Sequence, residues 1–243
     1  MRITYVVPAH NQETTLPGTM PQLAQWLRRH PGSEIVLVEN GSADRSMAVC
    51  VELAARLNSA EVTVRAVSSA RGMGNALRRG MQLARGELVV LTAADLPFGF
   101  TDIDALLALP ERPALAIGSK AHPGSRVQAP LLRRVMSDMF RRLRVALVGL
   151  RVGDSQGTIL IDGALARRVL PHLRCGDFLF STELVCWAAR EGVVATELPI
   201  TYAAGAGSTV SPVRDSLRMG VGLLALRKRL RAAAVAPARE ARA

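Results

Sequence analysis

Five short apolar runs, "ITYVV" (3–7), "EIVLVE" (34–39), "VTVRAV" (62–67), "ELVVLT" (87–92) and "ALAIGS" (114–119), are separated by segments of helix length. Parallel strands need a long crossover, usually a helix, so this spacing predicts repeated βαβ units around a mostly parallel sheet. Ligands of such sheets bind beyond the carboxyl ends of the strands. The segments to inspect are therefore "PAHNQE", "NGSADRS", "SSARGMGNA", "AADLPF" and "KAHPGSR". Most of them set charged or amide side chains beside Gly or Pro, as expected where backbone comes close to a ligand.

After residue 128 the pattern changes. Residues 129–149 have apolar side chains at helical spacing with Arg133, Arg134, Arg141, Arg142 and Arg144 interleaved, which predicts an amphipathic helix with its arginines facing water. "TILID" (158–162) predicts a strand, the stretch from about 180 to 191 a helix, and "VVATELPI" (193–200) another strand. The C-terminal segment carries Arg214, Arg218, Arg227, Lys228, Arg229 and Arg231 beside an apolar face, a basic amphipathic helix that gives way to a disordered basic tail over 231–243.

At 243 residues the chain suits a single α/β domain, assigned here to residues 1–230. Aromatic residues are only 4%, which leaves few stacking platforms for single-stranded nucleic acid and reads against such a partner. The net charge of +11 comes almost entirely from arginine and favours anionic partners, either phosphates or anionic lipid head groups. A solvated basic surface explains the charge equally well, and the charge by itself also fits a nucleic-acid binder. Cys50, Cys175 and Cys186 are odd in number and far apart, which indicates neither a zinc knuckle nor a disulfide framework and fits a reducing cytoplasm. No run approaches the roughly 18 apolar residues of a membrane span.

"VVPAHNQE" and "IVLVENGSADRS" resemble the opening signatures of family 2 glycosyltransferases, the inverting GT-A enzymes, whose usual forms are close to "VPAYNEE" and "VDDGSxDGT". "SSARGMGNALRRGMQLARGELVVLTAADL" extends the resemblance to that family's glycine-rich and acidic motifs. Segments from "IGSKAH" to "AGSTVSPVRDSLRMG" are similar, in the same order, to dolichyl-phosphate glucosyltransferases and, more distantly, to dolichol-phosphate mannosyltransferases. The resemblance implies an α/β fold of GT-A type, a Rossmann-like and mostly parallel sheet flanked by helices.

It also implies roles. Pro8, Ala9, Asn11 and Glu13 correspond to the first wall of a nucleotide-sugar site, and Glu39 to the family's first acid, where a carboxylate accepts hydrogen bonds from ribose or base. Asn40 stands where the second acid would be. Without the resemblance, Gly41, Ser42 and Asp44 read as a strand-end turn capping a helix. Arg71 takes the basic position of the glycine-rich motif, with Gly72 and Gly74 letting backbone approach phosphate. In "TAADL", Ala93 replaces the first aspartate, so Ala94 and Asp95 offer a magnesium or manganese ion one carboxylate. Magnesium tolerates this, because it keeps several waters and binds through one or two carboxylates plus substrate phosphates.

The acceptor implied by the resemblance is a polyprenyl phosphate. With a second pKa of about 6 it is largely dianionic at neutral pH and needs no general base. Lys120 is the candidate cation at the reacting phosphates. An alcohol acceptor would need a base, for which Asp154 and Glu183 are the candidates beside His122. The basic helices suit a cytoplasmic protein lying on the cytoplasmic face of a membrane to collect a lipid phosphate. A soluble hydroxyl acceptor in secondary metabolism, or a catalytically degenerate nucleotide-sugar binder, are the alternatives.

Overall fold

The computed structural model describes residues 1–128, 131–203 and 212–235. Strand β1 (Ile3–Ala9), helix α1 (Leu16–Leu27), β2 (Ser33–Glu39), α2 (Ser46–Leu57), β3 (Val62–Ser68), α3 (Met73–Leu83), β4 (Leu88–Leu91), α4 (Thr101–Leu107) and β5 (Leu115–Gly118) follow one another as the apolar spacing predicts. Then come β6 (Arg126–Gln128), α5 (Leu131–Val148), β7 (Ile159–Asp162), α6 (Gly163–Val169), α7 (Phe180–Arg190), β8 (Thr196–Leu198), β9 (Thr201–Ala203) and α8 (Pro212–Val235).

Seven strands form one sheet in the order β3-β2-β1-β4-β7-β5-β8. All its pairings are parallel except those of β7, which runs antiparallel between β4 and β5. In β2, Ile35 to Val38 are all 0% exposed, as expected of a parallel strand covered on both faces. The chain steps outward from β1 through β2 to β3 and returns to β4 on the other side of β1. The topological switch point therefore lies between β1 and β4, with the crevice for a ligand at their carboxyl ends.

The strand expected over 193–200 is shorter than that, and a further strand follows it. Thr196–Leu198 joins the main sheet, and Thr201–Ala203 pairs with β6 in a separate two-stranded ribbon. Pro199 between them has no N–H for a ladder, and the Ile200 N–H donates to Ser125 Oγ at 3.0 Å instead.

At the amino-terminal edge of the sheet one carboxylate joins four segments. Glu34 is 5% exposed; its Oε1 accepts from Thr4 Oγ1 and from the Arg85 N–H, both at 2.7 Å. Its Oε2 faces Arg65 Nη2 at 2.5 Å, and that guanidinium also donates to the Leu83 carbonyl.

The described residues divide into two compact units, one drawn from 1–127 and 154–202 and the other from 128, 131–153, 203 and 212–235. In the second, α5 and α8 pack together, with Leu143 facing Gly220 and Leu223, Leu226 and Leu230 buried. Arg144 departs from the water-facing pattern expected of the α5 arginines. It is 1% exposed, donating to the carbonyls of Leu150 (3.4 Å) and Val152, because the turn after α5 leaves carbonyls that only a long cationic side chain reaches. Helix α8 runs to Val235, so the first part of the expected tail is helical. The tail from residue 236 and the side chains of Arg133, Arg134, Arg214 and Arg218 lie outside the described residues.

Replacing Glu34 by Ala strands a half-buried guanidinium and the Arg85 N–H. The expected cost is about 3 kcal/mol, the low end for breaking a buried pair because Arg65 is partly solvated. A chemical-denaturation midpoint that does not fall would contradict it.

Candidate active site

The exits of β1 and β2 are tied together by side chain to backbone bonds. Asn11 has φ +54°, a left-handed conformation that Asn tolerates better than most residues. Its N–H donates to Ser42 Oγ (3.1 Å), and its Oδ1 accepts from the Ala43 N–H (2.9 Å). Gln12 N donates to Ser46 Oγ (2.7 Å) and Glu13 N to Asp44 Oδ2 (3.1 Å), while Glu13 Oε2 accepts from the Arg45 N–H (2.9 Å). Glu39 Oε1 accepts from the Ser42 N–H at 2.5 Å. Asp44 also accepts from the N–H and hydroxyl of Ser46, which is the capping role that the turn reading assigns it. Pro8 and Ala9 lie within β1, and the Ala9 carbonyl accepts from the Asn40 N–H at 3.0 Å. Asn11 and Glu13 thus build the frame of the first wall, with these side-chain oxygens turned to the backbone rather than left open to a nucleotide. Asn40 is 4% exposed and its Oδ1 has no hydrogen-bond partner among the described residues. A carboxylate there would be a buried charge next to Glu39, which the amide avoids.

The glycine-rich turn serves a different purpose from the one its spacing suggests. Gly72 has φ +121°, and the N–H groups of Gly74 and Asn75 donate to the Gly176 carbonyl at 3.0 and 3.3 Å. A Cβ on Gly74 would lie 2.5 Å from the Cys175 carbonyl oxygen and 2.8 Å from that of Asp177. The close approach that Gly72 and Gly74 permit is therefore made by residues 175–177 of the chain itself. Arg71 stays at the edge: Gly41 of the β2 exit turn comes so near that a Cβ there would sit 3.2 Å from Arg71 Cβ.

Across the switch point, β4 runs out into Thr92-Ala93-Ala94-Asp95. The Ala94 carbonyl accepts from Thr19 Oγ1 at 2.8 Å, Leu96 has φ +45°, and Asp95 between them is exposed. No group of three His, Cys, Asp or Glu gathers into a metal cage among the described residues. What the chain offers a cation is one open carboxylate, which fits a magnesium or manganese ion held jointly with a ligand's phosphates and not one held by protein alone.

Three residues on, Phe98 meets Lys120 from the exit of β5. Lys120 Nζ is 5.6 Å from the Phe98 ring centroid, 5.0 Å from that of Tyr202, and 3.9 Å from Asp154 Oδ2. Asp154 is brought there because β7 is antiparallel, so the turn leading into it lies at the same edge as the exits of β4 and β5. The Lys120 N–H also donates to Asp154 Oδ2 (3.4 Å), and Asp154 Oδ1 accepts from the Gln156 N–H (2.9 Å).

Comparisons with known proteins agree with this architecture. The sequence profile of Glycosyl transferase family 2 matches residues 4–159. This chain belongs to glycosyltransferase family 2. Its curated relatives include the dolichyl-phosphate beta-glucosyltransferases of Saccharomyces cerevisiae, 27% identical over 93% of this chain and 74% of that protein, and of Homo sapiens, 28% identical over 94% and 75%. Glucosyl-3-phosphoglycerate synthase from Mycobacterium tuberculosis, solved with Mn2+ and UDP-glucose, has the same fold at a TM-score of 0.65 and 17% identity, over 94% of this chain and 79% of that one. The protein is a nucleotide-sugar-dependent glycosyltransferase with a GT-A fold.

Within this family 2 enzyme, Glu183, one of the candidate bases, is turned into the core. It is 0% exposed, and its Oε2 accepts from the N–H groups of Arg174 and Cys175, both at 2.7 Å. It holds the segment whose carbonyls close on Gly72 and Gly74, and the α7 helix buries it because the surrounding apolar residues form its inner face. His122 Nδ1 accepts from the Gly124 N–H within its own turn. Asp102, at the start of α4, is a buried acid that the motifs did not reveal. It is 3% exposed, and desolvation pushes its pKa up against the lowering effect of bonds from Ile103 and Thr158. The shared contact of Phe98 and Tyr202 with Lys120 was equally illegible, since it joins residues far apart in sequence.

Gly74→Ala should cost about 1–3 kcal/mol, the usual range for overpacking, read as a lower melting temperature. Gly18→Ala, where a Cβ meets nothing within 4 Å, serves as the control and should not lower it. Equal behaviour of the two would refute the packing of residues 175–177 on the turn.

Proposed function

We propose that the enzyme transfers a sugar, with inversion, from a UDP-sugar to a polyprenyl phosphate. The observation that carries this reading is the state of the two candidate bases. Glu183 is buried and bonded to backbone, and Asp154 is engaged by Lys120 and Gln156. A hydroxyl acceptor would need one of them, or His122, whose Nδ1 is taken up by the Gly124 N–H, to receive a proton; a phosphate acceptor is already an anion and needs none. The dolichyl-phosphate glucosyltransferases among the relatives and the UDP-glucose in the solved neighbours agree with that acceptor and donor.

In this reading Glu39 and Asn40 line the nucleoside end at the exit of β2, and Arg71 lies beside it. Lys120 stands at the reacting phosphates, where a preorganised cation offsets the charge that gathers as acceptor and diphosphate approach. Asp95 would hold a magnesium or manganese ion, which supplies further charge neutralisation on the leaving diphosphate.

Helices α5 and α8 leave Val135, Met139, Val221 and Leu224 exposed, with Arg142, Lys228 and Arg231 also exposed. Such a mixture suits contact with an anionic membrane surface, where a lipid phosphate is collected. No helix among the described residues is long and apolar enough to cross a membrane.

The direct test is release of the nucleoside diphosphate, UDP or GDP, from a panel of UDP- and GDP-sugars, with polyprenyl phosphate or the free polyprenol as acceptor. Release with the phosphate alone is expected; release with the alcohol alone, or binding of UDP without any release, overturns the reading. Glu39→Ala should weaken UDP binding in calorimetry, and unchanged affinity removes that residue from the site. Asp95→Asn should abolish activity in magnesium, and a chelator should do the same to the unaltered enzyme. Lys120→Ala should slow turnover while UDP affinity stays within a few-fold.

A further inference from the structure

We infer that Phe98 and Tyr202 are positioning residues for the Lys120 ammonium, an inference that rests on the role proposed above for that lysine. The two rings stand edge to face, with centroids 5.9 Å apart and planes at 81°. Lys120 Nζ lies within 5.6 Å of both centroids. A cation at such distances is attracted by the ring quadrupole. Asp154 Oδ2, at 3.9 Å, supplies the third contact.

The rings offer something that more carboxylates would not. Each attracts the cation without carrying a net charge, so Lys120 keeps its positive charge for an incoming anion. Surrounded by acids instead, the ammonium would be neutralised, and a diphosphate would have to compete with them. Without any restraint, its four-carbon stem would lose far more rotamer freedom on meeting phosphate. The Lys120 side chain is 37% exposed, so the ammonium is held and still reachable.

The backbone fixes this arrangement. Thr101 Oγ1 donates to the Phe98 carbonyl at 2.8 Å and accepts from the Thr201 N–H at 3.4 Å, next to Tyr202. Ser125 Oγ donates to the Ser119 carbonyl at 2.6 Å, next to Lys120, and accepts from the Ile200 N–H at 3.0 Å. Two hydroxyls thus join the three segments that carry the rings and the cation.

The chain has only two lysines, Lys120 and Lys228, so carbon-13 labelling of lysine side chains reports on the contact directly. The Lys120 Cε and Hε signals, assigned by their loss in Lys120→Arg, should be displaced upfield by the rings. They should move toward the exposed position in Tyr202→Leu and stay displaced in Tyr202→Phe. In turnover, Tyr202→Leu should lower kcat about tenfold with KM for the UDP-sugar within about twofold, and Tyr202→Phe should recover most of the loss. In a Lys120→Met background, Tyr202→Leu should slow nothing further. Equal slowing in both backgrounds means that the ring only supports the fold and overturns the inference. So does a Lys120 signal at the exposed position in the unaltered protein. A displaced signal together with undiminished turnover of Lys120→Met leaves the ring contacts standing and removes the proposed role of Lys120.

Discussion

Asp44 accepts hydrogen bonds from the Glu13 N–H and from both donors of Ser46, and around it Asn11, Glu13 and Glu39 close the remaining gaps between the exits of β1 and β2. Parallel strands end with unpaired backbone groups, and a loop with no such partners would have to leave them to water. These side chains satisfy the N–H groups in turn. The result is a rigid rim on one side of the switch point, against which Arg71 and the β4 exit are arranged. Polar residues that read as ligand contacts do their first work on the protein's own backbone.

The other side of the crevice depends on the direction of one strand. Were β7 parallel to its neighbours, Asp154 would enter the sheet at the edge away from Lys120. Because it is antiparallel, Asp154, Ser155 and Gln156 arrive where β5 leaves. Glu197 reinforces the junction, its Oε1 accepting from Ser119 Oγ and from the Asp154 N–H. The cation, its carboxylate and its two rings therefore sit on a junction of strand ends, the kind of rigid support that a positioned charge requires.

Under the proposed function, charge accounts for the two departures from the family's acidic motifs. Ala93 and Asn40 each take the place of an acid, and the crevice loses two negative charges while Arg71 and Lys120 remain. Such a balance, under the proposed function, favours gathering anions over trapping a free cation. Under the proposed reaction two anionic groups must meet, so fewer fixed carboxylates means less repulsion to overcome.

The alternation of apolar runs and helix-length segments was enough to determine a mostly parallel sheet, the succession of five of its strands along the chain, and the loops that could carry function, because crossover length and burial are local properties of a sequence; the order of the strands across the sheet was not among them. The motifs likewise singled out Glu39, Arg71, Asp95 and Lys120 at strand exits. Tertiary structure alone decided what each polar atom faces. Gly72 and Gly74 read as a phosphate loop, yet residues a hundred positions later fill the space beside them. Glu183 read as a base, yet helix α7 buries it under the same segment. Phe98 lay in a loop marked for inspection, but its meeting with Tyr202 over Lys120 is made only when β9 and the β4 exit come together. Such contacts join residues far apart in the chain, and which donor finds which acceptor is set only when the whole sheet has closed around them.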